Sequence, residues 1–148
     1  MLPDYDDDIP TDTPLLSTVN LLLPLRERKL FRLKRVLREE KQTLKALEQD
    51  LNAGEKRLAR FRLTYKDALD DFNKHHTGVI LLHEKLHQAL EEERGARTRL
   101  LKQEEDNQGL TERIVKQRDV ISEAQENIET CQREIEKLEY ILEQKELM

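Results

Sequence analysis

There is no tryptophan in this chain, and no proline after Pro24. Glycine and proline number four each in 148 residues, and aromatic side chains make up 4%. A compact enzyme of this length needs Gly- and Pro-rich turns, and bulky side chains to wall off a site. Their scarcity speaks against a globular catalyst. The single cysteine, Cys131, excludes an internal disulfide and suits a reducing compartment. The N-terminal stretch MLPDYDDDIP is acidic where a secretory or mitochondrial presequence carries positive charge. The apolar run LLSTVNLLLPL, Leu15 to Leu25, is eleven residues long and is broken by Ser17, Thr18, Asn20 and Pro24. A bilayer span takes about 20 apolar residues, so a soluble, cytosolic chain without direct membrane insertion is expected.

What the chain has in quantity is charge, at 39% of residues. Such a helix-favouring, charged composition reads as long helix or coiled coil. The organisation changes near Arg26. Residues 1–25 hold Pro3, Pro10, Pro14 and Pro24 with Asp4, Asp6, Asp7, Asp8 and Asp12, and no basic residue. This segment reads as a disordered acidic leader ending in a short apolar stretch. That stretch is expected to be a linker whose leucines pack loosely on the main body; the other reading is a docking peptide that orders on a partner.

From Leu30 a seven-residue repeat takes over. One row (a) runs from Leu30 through Leu37, Leu44, Leu51, Leu58, Tyr65 and Phe72 to Leu142, and only Glu93 and Asn107 break its run of apolar and aromatic residues. A second row (d), three residues on, begins Leu33, Glu40, Leu47, Gly54, Phe61, Ala68 and ends Ala124, Cys131, Leu138, Lys145. Together they place one stripe on a helix that must be buried against another helix. The fold expected is all-α: a long antiparallel two-helix coiled-coil hairpin over 26–148, behind a disordered acidic leader.

One pentapeptide invites a catalytic reading. His83–His87, HEKLH, matches the zinc-peptidase pattern H-E-x-x-H, in which two His one turn apart hold a metal and the Glu activates its water. In the frame above, however, Leu86 belongs to row a, which puts His83 at e on the flank and His87 at b on the outside. No His follows His87 to supply a third ligand. The match is read as a coincidence on a charged helix. Glycine-rich phosphate loops, C-x-x-C pairs and nucleophile elbows are absent from the sequence. Cys131 lies in row d, where a small thiol packs well. No enzymatic activity, cofactor or metal site is expected.

The repeat permits a parallel dimer of one long helix or a folded-back hairpin. Three stretches could turn the chain: NKHHTG (Asn73 to Gly78), Gly95, and NQG (Asn107 to Gly109). The first gathers the most poor helix formers and is chosen. Arm one then covers about 26–72, the turn about 73–78 and arm two about 79–147. Charge argues the same way. Residues 26–66 carry fourteen Lys/Arg against six Asp/Glu, and residues 119–148 carry three against nine. Folding back sets the basic arm beside the acidic one, whereas a parallel dimer sets each beside its own copy. A monomeric hairpin is expected. The basic block RERKLFRLKRVLR, Arg26 to Arg38, could grip nucleic acid through phosphates. Its apolar stripe is taken by the helix pairing, and no stacking surface accompanies the charge. An acidic protein surface fits better than nucleic acid.

This architecture resembles the central stalk proteins of bacterial type III secretion systems, the YscO- and FliJ-like family. The likeness spans about Leu25 to Leu147 and starts with the Arg/Leu-rich opening LRERKLFRLKRVLREEKQTLKALEQDL. It implies a non-catalytic partner of the hexameric secretion ATPase that also touches the export gate and assists chaperone cycling, at the cytoplasmic side of the inner-membrane apparatus. In the flagellar members the gate-contacting surface follows Leu-x2-aromatic-x3-Tyr before the turn and aromatic-x3-Leu-x2-Ala-x3-His after it. Leu58, Phe61 and Tyr65 match the first half; Leu82, Leu86 and Ala89 follow the second. Leu82 stands where the family has an aromatic, and Glu93 where it has His. The ATPase-binding candidates are Arg26, Arg28, Lys29, Arg32 and Lys34. The alternative reading is a structural coiled-coil dimer acting as a tether or scaffold.

Overall fold

The computed structural model describes residues 2–76 and 83–147, and the side chains of 14–74 and 83–145. Two α-helices account for all of these residues: α1, Leu2–His76, and α2, His83–Leu147. The two long helices pack against each other, and no strand occurs among the described residues. Neither helix is long and apolar enough to cross a membrane, among the described residues.

The seven-residue frame is visible in the burial. Among the described positions of rows a and d from Leu30 to Lys145, each is buried or half-buried except Leu86, which is 37% exposed. The stripe is shielded because each helix covers only the facing side of the other, leaving b, c and f in solvent.

Both helices contribute to each of two compact units. The first comprises residues 1–42 and 118–148. Its centre is Val19 with Ile121, Ala124, Ile128, Cys131 and Ile135, all buried. The Cys131 thiol donates to the Arg26 carbonyl at 3.4 Å. Beside it, Arg26 Nε lies 3.1 Å from Glu134 Oε2. That oxygen accepts no aligned hydrogen bond, so the contact is charge attraction.

The apolar stretch that ends the acidic leader packs more tightly than the loose linker expected there. α1 begins at Leu2, and the apolar stretch is packed helix: Val19 is 2% exposed. The cause is a frame that extends further back than Leu30. Seven-residue steps from Leu30 reach Leu23 and Leu16, and from Leu33 they reach Arg26 and Val19. Leu16, Leu23 and Arg26 are half-buried. Pro24 falls in this helix, where it cannot donate to the Asn20 carbonyl. An interior proline costs about 3 kcal/mol. Burying apolar side chains returns roughly 1.5–3 kcal/mol each, which offsets the lost bond.

The second unit, residues 43–117, has a different interior. Leu47, Gly54, Ala96 and Ile114 are buried there, and so are two amides, Gln103 and Asn107. Gln103 Nε2 donates to Asn107 Oδ1 at 2.9 Å, one turn along α2. Gly54 of α1 supplies the room. A Cβ there would overlap Asn107 Oδ1 and would lie 3.2 Å from both Asn107 Cγ and Gln103 Nε2. Asn107 Nδ2 is buried without a hydrogen-bond partner. This polar layer therefore costs stability in its own right.

The turn lies partly outside the described residues. Asn73–His76 still belong to α1, four residues beyond the expected end of arm one at Phe72; Thr77, Gly78 and 79–82 are not described. The other turn candidates, Gly95 and Asn107–Gly109, are interior to α2.

Candidate functional site

The residues matched to a gate-contacting surface all lie in the second unit. Leu58, Phe61 and Tyr65 are half-buried on α1, as is Ala89 on α2, while Leu86 is exposed. Leu82 falls outside the described residues. Because Leu58, Phe61, Tyr65, Leu86 and Ala89 occupy rows a and d, each presents part of its surface to the other helix and part to solvent. Tyr65 is fixed by its hydroxyl, which donates to Glu93 Oε1 at 3.2 Å. Glu93 is thus a polar residue of row a whose carboxylate has a partner across the pair. Nearby, Arg62 and Glu104 approach to 3.8 Å on the exposed rim, a pair of the kind worth at most about 1 kcal/mol.

Small side chains open a groove beside this region. Thr64 and Ala68 of α1 face Gly95 and Ala96 of α2, with Glu92 and Arg99 at the rim, around a volume of about 690 Å³. From the sequence Gly95 reads only as a turn candidate; the legible signal is its neighbour Ala96, a small row d residue that lets the helices leave space. Such a groove can accept a side chain from a protein partner.

Of the cationic candidates, Arg26 is committed to α2 through Glu134 and Cys131. Arg28, Arg32 and Lys34 are exposed, and Lys29 is half-buried. None of these four forms an ion pair among the described residues, whereas Arg35 reaches Glu39 at 4.0 Å on its own helix.

The HEKLH helix presents both imidazoles to solvent. His87 Nε2 contacts Glu91 Oε1 at 3.1 Å, with both side chains 64% exposed, and His83 is exposed too. Among the described residues, no group of three or more His, Cys, Asp or Glu side chains could hold a metal ion.

Set against known protein families, curated proteins and solved structures, the chain matches none. The geometry itself therefore carries the functional argument: a helix pair with partly solvent-facing aromatics in one unit and unpaired cations in the other.

Proposed function

We propose that this chain is a monomeric antiparallel coiled-coil hairpin that serves as the non-catalytic stalk and adaptor of a bacterial type III secretion apparatus. In this reading it links the hexameric secretion ATPase to the export gate and assists chaperone cycling, on the cytoplasmic side of the inner membrane. Support for the hairpin comes from contacts in the second unit. Gly54 faces Asn107, while Tyr65, later in α1, bonds Glu93, earlier in α2. The pairing order reverses, as antiparallel helices require.

The observation that carries the stalk reading is the set of cations left unpaired on a helix whose apolar stripe is already used. Arg28, Lys29, Arg32 and Lys34 make no ion pair among the described residues, and Leu30, Leu33 and Leu37 of the same segment are half-buried toward α2. Positive charge that the fold does not consume is available to an acidic protein surface. Leu58, Phe61, Tyr65, Leu86 and Ala89 would contact the gate through the surface they leave open, and Leu82 belongs to the same proposed set.

The test is ATPase stimulation. Purified protein added to the secretion ATPase should raise its hydrolysis rate. Arg28→Glu, Lys29→Glu and Arg32→Glu together should abolish that rise at a temperature where circular dichroism shows both proteins equally helical. A triple variant that stimulates as well as the parent removes these cations from the mechanism. No stimulation by the parent protein turns the reading toward a passive tether.

A further inference from the structure

In the first unit, the side of α1 turned away from α2 carries apolar side chains that no described residue covers. Leu21, Leu25 and Phe31 are 68%, 54% and 66% exposed, and Pro24 is exposed beside them. They are not slack core residues. Rows a and d send Leu23, Arg26 and Leu30 toward α2, so Leu21, Leu25, Arg28 and Arg32, at i, i+4, i+7 and i+11, form a ridge on the opposite side. Pro24 and Phe31 stand in the next row. Pro24, Leu25, Glu27, Arg28, Phe31 and Arg32 border a shallow groove of about 590 Å³, so two guanidinium groups and one carboxylate edge it. Scattered exposed apolar residues are ordinary on a protein surface, but a cluster within three turns marks an interaction site.

Charge indicates what sits there. Residues 21–38 contain seven Lys/Arg and one acid, Glu27. Arg28 and Arg32 on the ridge have no ion pair among the described residues. We propose that this outer face of α1 binds an acidic amphipathic helix of a protein partner. Its apolar residues seat on Leu21, Leu25 and Phe31, and its carboxylates meet Arg28 and Arg32. Two other occupants fit worse. A bilayer that took up Leu21, Leu25 and Phe31 would draw two guanidinium groups toward hydrocarbon, because the cations lie on the ridge itself rather than beside it. A second copy offering the same face would set like charges together. The inference does not rest on the stalk reading, since a scaffold would present the same face.

The full-length protein would be titrated against a fluorescent designed helical peptide with Leu and Phe along one face and Glu flanking it. The same peptide with Lys for Glu is the control. The Glu peptide should bind saturably and weaken as salt is raised, with the Lys peptide about tenfold weaker or more. Leu25→Ser with Phe31→Ser, and separately Arg28→Gln with Arg32→Gln, should each weaken it at least about tenfold. These positions are exposed, so helicity should persist; Leu21→Ser alone is the second variant if a double substitution lowers it. Equal affinity for both peptides, no binding of the Glu peptide, or indifference to all the substitutions overturns the proposal. So does recruitment to phosphatidylserine vesicles without peptide binding, or self-association that disappears in the Leu25/Phe31 variant.

Discussion

Cys131 and the His83/His87 pair represent two opposite environments for chemically capable side chains. Cys131 is 1% exposed and its thiol is held against the Arg26 carbonyl. A buried thiol reacts only when its surroundings open. Labelling by an aromatic disulfide reagent should run at least about a hundredfold slower in the native protein than in denaturant, a contrast that requires an opening free energy of about 3 kcal/mol or more. Fast native labelling would mean that the first unit is loosely packed. The imidazoles lie at the other extreme. His83→Ala with His87→Ala removes exposed groups and the solvent-facing contact with Glu91. Stability should change by no more than about 0.5 kcal/mol. Stoichiometric zinc in the purified protein, lost in the double variant, would contradict the reading of HEKLH as a chance match.

At the level of the helix, the glycines separate backbone preference from packing. A Cβ at Gly95 or Gly109 meets nothing within 4 Å, so Gly95→Ala and Gly109→Ala should each stabilise by about 0.5–1 kcal/mol through helix propensity. Gly54→Ala gains the same propensity but drives its methyl into Asn107. It should lower the melting temperature through a net destabilisation of about 1–2 kcal/mol. Adding Asn107→Ala should recover only part of that loss, because the clash and the unpartnered Nδ2 go together while buried Gln103 Nε2 loses its acceptor. Thermal unfolding of the four variants checks this; a Gly54→Ala protein as stable as Gly95→Ala would contradict the polar layer. The same glycine shows what the sequence could convey. Rows a and d were legible from Leu30 to Leu142 because a seven-residue period leaves one stripe to bury. The continuation through Leu16, Val19 and Leu23 was hidden by Pro14 and Pro24, which read as breakers, and by Arg26 in a row d position. Asn107 looked like turn chemistry, since its role needs Gly54 from a distant part of the chain. The proposed interaction surface was the least legible: Phe61 and Tyr65 follow the core pattern, so periodicity cannot separate a contact residue from a packed one. Phe31, off both rows and 66% exposed, could have been noticed from its position alone.

For the whole molecule, charge acts on pairing preference more than on stability, and in the first unit the basic segment 26–42 shares its unit with the acidic segment 118–148. Arg26–Glu134 and Arg62–Glu104 are partly exposed pairs, and pairs of that kind contribute about 0–1 kcal/mol each. Their influence is on which helices meet, since a parallel arrangement puts like charges together. The stalk reading requires that the two helices of one chain pair with each other. The most direct measurement is a cross-link between Arg62→Cys and Glu104→Cys. These positions are exposed and their native side chains approach to 3.8 Å. Cys131→Ser would remove the native thiol while leaving a hydroxyl to donate to the Arg26 carbonyl. With a bis-maleimide spacer, the product should keep the mass of one chain plus linker at every dilution. Cross-linked dimers as the main product, persisting on dilution, would contradict the hairpin.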